Sequence, residues 1–177
     1  MDFDAHLPAH CDDVRVRRLR YGDAEAFALG TRDPAVREHG HLPLTEYTPH
    51  IVREQIDGVI AQGLADGTLA ALAIADRASD HFAGSVVLFD IHDDRAEVGF
   101  WLTPQARGRG FAVKSLHAVA GLGAAAGLSV LQARTSPENV ASQRVLEASG
   151  FTSKGAARPQ RTPSGAVVPL LAFVRPL

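Results

Sequence analysis

The residues of this chain best suited to chemistry form a short run, Gln105-Ala106-Arg107-Gly108-Arg109-Gly110-Phe111-Ala112. It follows an alternating strand-like segment and opens a long apolar one, so it sits where a strand turns into a helix. The first N–H groups of a helix have no internal acceptor, and the macrodipole places positive charge there. Glycine at 108 and 110 lets the backbone curl toward an anion without side-chain obstruction, and Arg107 and Arg109 add charge. A pyrophosphate is the expected guest. A nucleoside-triphosphate loop needs Gly-Lys-Ser or Gly-Lys-Thr after its spacer, which is absent. A dinucleotide fingerprint needs a third glycine, where this chain has Val113, and an acid about 20 residues on, where it has Gly127 to Leu131. The plain alternative is a turn that binds nothing.

A second constellation runs from Asn139 to Phe151. Asn139 and Ser142 are three apart and share a helix face. Ala141 and Val145 share another face, suited to the core. Both polar residues also have a purely local reading, as helix-start groups that hold the first turn.

The elements that position these residues can be read from period and punctuation. Val14 to Arg20 alternates as a strand, and Asp23 is expected to cap a helix over Ala24 to Leu29. Thr31 to Thr48 reads as a short helix and a long loop. Thr48-Pro49 marks an N-cap followed by proline at the first helical position. That helix places Val52, Ile56, Val59 and Ile60 on one face and ends at Gly63 and Gly67. Strands follow over Thr68 to Ala75, Phe82 to Ile91 and Arg95 to Leu102, the last two joined as a hairpin by Asp93-Asp94. On the third, Ala96, Val98, Phe100 and Leu102 point one way, and Arg95, Glu97, Gly99 and Trp101 the other. A helix over Gly108 to Ala126 ends at Gly127, and Ser129 to Arg134 is a strand. Thr135-Ser136-Pro137-Glu138 is expected to be a capping box for a helix running to Ala148 and stopping at Gly150. Phe151 to Gly155 and Ala166 to Val174 are the final strands, joined by a loop, with Pro169 belonging at an edge or bulge. The order β-α-α-β-β-β-α-β-α-β-β predicts a single α/β domain over 1–177, its sheet mixed and largely antiparallel, with residues 1–12 as a flexible tail.

Composition narrows the function. The 177 residues carry 18 basic and 20 acidic side chains, a net charge of -2 with no run of one sign. There is no electrostatic footprint for nucleic acid or an anionic membrane. The one cysteine, Cys11, excludes an internal disulfide and a cysteine-based zinc site. His39 and His41 read as polar loop residues and His117 as a satisfied helix residue, so no metal is expected. The start MDFDAHLPAH lacks the basic and apolar segments of a secretion signal, and no apolar run reaches spanning length, which points to the cytoplasm.

Gln105-x-x-Gly-x-Gly, with Ala112 two residues later, resembles the coenzyme A signature of the GNAT acyltransferases. Asn139 to Phe151 is similar to a second motif of that family, with the Asn-x-x-Ser spacing of its RimJ/RimL-like branch. The order of elements fits the family from Val14 to Val174, and the specific motifs span Glu97 to Phe151. The resemblance implies an α-β-α sandwich and transfer of an acetyl group from acetyl-coenzyme A, as co-substrate, to a primary amine by direct attack in a ternary complex. The amine would belong to a protein N-terminus or a small metabolite. It implies that the backbone of the glycine loop (Gln105, Arg107, Gly108, Arg109, Gly110, Phe111, Ala112) cradles the pyrophosphate. The strand Glu97 to Leu102 would splay from its neighbour at a bulge, and Phe100, Trp101 and Leu102 would run along the pantetheine arm. Trp101 itself reads as a packing residue beside that channel. Asn139 would bond the pantetheine arm, and Ser142 would lie near the thioester sulfur as candidate acid. Glu97 would be the general base; its plain alternative is a solvent-facing residue paired with Arg95 or a neighbour. The acceptor site would be built from Glu38 to Tyr47 and Arg158 to Gly165. Lys114 and the lack of a tyrosine after the second motif depart from the family pattern. A non-catalytic acyl-coenzyme A sensor, or transfer of another acyl group such as succinyl, are the alternatives, and monomer and homodimer both remain open.

Overall fold

The computed structural model describes every residue from Met1 to Leu177. The strands are β1 (Ala9–Cys11), β2 (Val14–Arg18), β3 (Ala70–Asp76), β4 (Phe82–His92), β5 (Arg95–Leu102), β6 (Val130–Thr135), β7 (Thr152–Ser153), β8 (Arg158–Arg161) and β9 (Val167–Pro176). The helices are α1 (Ala24–Gly30), α2 (Pro34–His39), α3 (Pro49–Gln55), α4 (Ala61–Asp66), α5 (Phe111–Ala125) and α6 (Val140–Ala148). One sheet holds the strands in the order β1-β2-β3-β4-β5-β6-β9-β7, with β8 added beside β9. Every pairing is antiparallel except β5 with β6. The crossover between those two carries α5 over one face, as a parallel pair requires.

Both faces of the sheet are covered. The larger core, on the α5 and α6 face, includes Leu72, Leu88, Val98, Phe111, Leu116, Leu131 and Phe173. The smaller one, under α1 to α3, gathers Leu19, Phe27, Val36, Tyr47, Val52 and Trp101. The alternation of β5 is thus real, but both of its faces are buried.

Four local expectations are corrected. Residues 1–12 are not a loose tail: β1 pairs with β2, and Phe3 is completely buried in the larger core. Asp23 precedes α1 without capping it. Its carboxylate accepts from Arg17 at 2.7 and 3.0 Å and from the Arg20 N–H at 2.8 Å. Arg17 is buried, and a buried guanidinium requires a carboxylate more than a helix end does. No capping box forms over Thr135 to Glu138. Thr135 is held extended by its pairing with Leu171, and α6 starts later, with Asn139 as its N-cap. Finally, the loop over Arg158 to Gly165 contains β8, hairpinned to β9. Pro159 faces Pro169 in that register, so two residues that lack an N–H share one pair. Thr48 behaves as expected: its Oγ1 accepts from the Ile51 N–H at 3.2 Å, with Pro49 opening α3. The helical segment after it is interrupted at Gly58, whose φ of -100° and ψ of -106° break the ladder between α3 and α4.

Candidate active site

The glycine loop lies between β5 and α5, after a 3-10 turn over Pro104–Ala106. Gly108 (φ 73°) and Gly110 (φ 76°) both adopt the left-handed conformation, which glycine enters without strain. Gly110 is the N-cap of α5, and having no side chain it leaves the helix end open. The N–H groups of Gly108, Arg109, Gly110, Phe111, Ala112 and Val113 donate to no acceptor in the protein. This row of free donors at the start of a 15-residue helix has the chemistry to hold an anion. The arginines are not idle. Arg107 donates to Asp33 and, at 3.2 Å, to the Leu102 carbonyl. Arg109 pairs with Asp76 at 3.3 Å and lies over the Phe111 ring at 4.4 Å. The hydrogen bond from Arg107 holds the Asp33 carboxyl below its ordinary range. Gln105 is exposed on the 3-10 turn, and the Phe111 ring is buried in the larger core, leaving only its backbone for a ligand.

β5 and β6 are paired only at Arg95, Ala96 and Glu97; beyond Glu97 and Gln132 they part. Thr103 donates to Ala83 in the ladder with β4, so by alternation Phe100 and Leu102 turn their N–H and C=O away from β4 and into the gap. The bond from Arg107 to the Leu102 carbonyl agrees with that direction. Trp101 has the opposite phase. Its backbone faces β4, and its ring packs edge-on to Phe27 at 5.1 Å. The irregularity expected at the splay lies on the other side of β5, where the register with β4 shifts between Phe89 and His92 and Asp90 has φ 51°.

Glu97 stands where the strands separate. It is 9% exposed, and its carboxylate meets Arg134 of β6 through Nε at 2.9 Å and Nη2 at 2.8 Å. It neither faces solvent nor pairs with Arg95. Burial raises its carboxyl above the ordinary range, and the Arg134 guanidinium opposes that rise. Arg134 also donates to the Arg161 carbonyl at 2.9 Å, tying β8 to the same point.

Opposite this gap, the Asn139 Oδ1 accepts from the Ser142 N–H at 3.0 Å, capping α6. The local reading of Asn139 is therefore present, and it leaves the Asn139 amide nitrogen free. The Ser142 hydroxyl makes no hydrogen bond with the protein and lines the cleft. That cleft, about 910 Å³, is bounded by Glu97 to Leu102, Arg107, Ala112, Arg134, Asn139 and Ser142. It continues under α2 and α3 to His39, His41, Leu42, Pro43 and Tyr47, and reaches Thr162 and Pro163 after β8. Both segments expected to build an acceptor site thus contribute to one cavity.

Sequence reasoning missed Arg134, Asp33 and Asp76. Arg134 carried a readable signal as a charged residue on an otherwise alternating, half-buried strand. The two aspartates carried none, because their partners lie far away in the chain. The structure brings no group of three or more His, Cys, Asp or Glu together that could hold a metal ion, and no helix is long and apolar enough to cross a membrane.

RimJ of Mycobacterium smegmatis, solved with CoA-disulfide, has a TM-score of 0.81 at 20% identity, over 96% of this chain and 85% of its own. Ribosomal-protein-S5-alanine acetyltransferase of Vibrio fischeri has a TM-score of 0.79 at 18% identity, over 96% of both chains. Spermidine N-acetyltransferase of Vibrio cholerae, in complex with CoA and spermine, has a TM-score of 0.76 at 16% identity, over 93% of this chain and 95% of its own. These likenesses establish a common fold. Comparison with curated protein sequences returns no match. The family model described as an acetyltransferase (GNAT) domain matches residues 13–152, most of the chain, including Glu97, the glycine loop, Asn139 and Ser142. The chain belongs to the GNAT acetyltransferase family, whose enzymes draw their acetyl group from acetyl-coenzyme A.

Proposed function

We propose that this enzyme transfers the acetyl group of acetyl-coenzyme A to a primary amine by direct attack within a ternary complex. One juxtaposition carries the reading: a buried carboxylate, Glu97, stands at the point where β5 and β6 part, on the strand that leads into the free amides of the glycine loop. The amides of Gly108 to Val113 suit a pyrophosphate, with Arg107 and Arg109 beside it. Phe100 and Leu102 offer backbone groups to an extended amide-bearing arm, and Asn139 offers its amide nitrogen. Gln105 and Ala112 flank this path. Acetyl-coenzyme A, when bound, supplies an activated thioester carbonyl.

The residues of the chain supply the rest. An amine arrives as an ammonium ion and must lose a proton before it attacks. Glu97, raised in basicity by burial, takes that proton directly or through one water. The bidentate pair with Arg134 fixes the carboxylate plane and leaves each oxygen a free lone pair. The Phe100 N–H, pointing into the gap, is the donor toward the carbonyl oxygen. The free Ser142 hydroxyl is the donor toward the departing sulfur. The amine as acceptor is supported by the fold relatives, named for acetylating spermidine and a ribosomal protein.

Calorimetric titration with acetyl-coenzyme A, with ATP and NAD as controls, followed by thiol-release assays over a set of amines, tests the reading. Selective saturable binding and amine-dependent thiol release are expected. Binding with no release from any amine would leave a coenzyme A-binding module, and no binding would remove the cofactor assignment.

A further inference from the structure

The half of the cleft away from the glycine loop has a floor formed by one sheet face. There Ala71 of β3 pairs with Val87 of β4, which pairs with Gly99 of β5. Phe89 lies beside them, opposite Glu97. The row ends in small residues, Ala71 and Gly99, and a Cβ at Gly99 would make ordinary contact with Val87 at 3.4 Å and Phe89 at 3.6 Å. The walls are Val36, Leu42, Tyr47, Val59 and Ile60. Ser85, a hydroxyl in the floor, is spent on the Leu72 carbonyl at 2.9 Å.

Charge is nearly absent. Glu97 and Arg134 neutralise each other across two short bonds. The acids of the neighbouring loop, Glu38 and Glu46, are exposed and do not line the cavity. Of the other titratable side chains that line the cleft, His39, His41 and Tyr47 belong to this side, and Arg107 and Glu138 stand beside the glycine loop and Asn139. A polycation entering here would leave water without a counter-charge, which is costly. An apolar body would extend the smaller core, to which Val36, Tyr47, Leu42 and Ile60 already belong, and remove its own surface from water.

We propose that the acceptor is a primary amine carried on a bulky apolar body, an aromatic or branched aliphatic group, and not a polyamine. This rests on the acetyl-transfer reading above and assigns its substrate class. Two sources share that chemistry: a free arylalkyl or alkyl amine, and a peptide whose first residue has a large apolar side chain.

The test is thiol release by the full chain with acetyl-coenzyme A and 2-phenylethylamine, isoamylamine, short peptides starting with Phe or Leu, their Gly-starting counterparts, and spermidine. The kcat/KM for the apolar acceptors should exceed that for spermidine and the Gly peptides by about tenfold or more. The free-amine and peptide arms separate the two sources. A preference for spermidine would overturn the proposal and leave acetyl transfer standing. If no amine releases thiol, binding of 2-phenylethylamine to the coenzyme A-saturated protein still decides: its absence would overturn the proposal, whereas its presence would confine the failure to catalysis. Ala71→Leu fills the floor two strands from the cofactor gap. It should raise KM for apolar amines about tenfold with KM for acetyl-coenzyme A unchanged. An unchanged amine KM in the folded variant would count against the pocket. Val59→Asp, at an exposed wall position where a carboxylate is tolerated, should move preference toward spermidine; no movement would also count against it.

Discussion

Glu97 and Arg134 are joined by two nearly equal hydrogen bonds, 2.9 and 2.8 Å, from the last paired residue of β5 to a residue of β6 just past the pairing. The base candidate is therefore oriented by the neighbouring strand at the place where that strand leaves it. Glu97→Gln should lower kcat by about two orders of magnitude, as loss of a general base does, with acetyl-coenzyme A binding intact. Arg134→Met removes the group that opposes the burial-driven rise of the Glu97 carboxyl. The base would then deprotonate at higher pH, so the acidic limb of the kcat/KM profile should move to higher pH. A limb that stays in place would detach Glu97 from the titration.

Gly108→Glu tests the cradle. A Cβ there meets nothing within 4 Å, so the substitution does not clash, but φ of 73° strains any other residue by about 1 kcal/mol. A carboxylate beside the free amides would repel a pyrophosphate. Calorimetry should show saturable acetyl-coenzyme A binding lost while thermal unfolding stays cooperative.

Asp33→Asn should tighten acetyl-coenzyme A binding. Asn keeps the cap on α2, in which the Asp33 Oδ1 accepts from the Val36 N–H at 3.2 Å, and it frees Arg107 from an ion pair. Partly exposed pairs are worth about 0.2–1 kcal/mol, which corresponds to a gain of up to about fivefold, shrinking with salt. The sign for stability is the reverse. Asp33 is held below its ordinary range chiefly by Arg107, so its contribution is present above the unfolded-state value and lost as pH falls through the lower folded one. Wild type and variant should converge in stability at strongly acid pH, as urea titrations would show.

Ser142→Ala separates acid catalysis from helix structure, because the Ser142 hydroxyl has no protein partner while its N–H is the capped group. Stability should change by less than about 0.5 kcal/mol. If the hydroxyl protonates the sulfur, kcat should drop about a hundredfold with little change in acetyl-coenzyme A affinity. Asn139→Ala should instead cost about 1 kcal/mol of stability through the lost cap.

Phe3→Ala should destabilise the fold by about 3–5 kcal/mol, measured by chemical denaturation, because its ring is wholly buried. A neutral result would restore the flexible tail.

The parts legible in the sequence were those encoded by neighbours in the chain. Alternation over Arg95 to Leu102 matched β5 residue for residue, Asp93 (φ 52°) made its turn, and Thr48-Pro49 opened a helix, because each depends on local period or φ. The pair of glycines at 108 and 110 announced a left-handed loop for the same reason. Tertiary structure decided what those residues meet. Glu97 and Arg134 are 37 residues apart, and they touch only because a crossover sets β6 parallel to β5. Asp33 and Arg107, 74 apart, meet because the fold brings the N-cap of α2 to the loop after β5. Phe3 left the expected tail for a core that only the assembled sheet provides. Local sequence determined backbone direction and helix starts; partner choice and cavity shape came from the order in which strands are laid side by side, which no local spacing records.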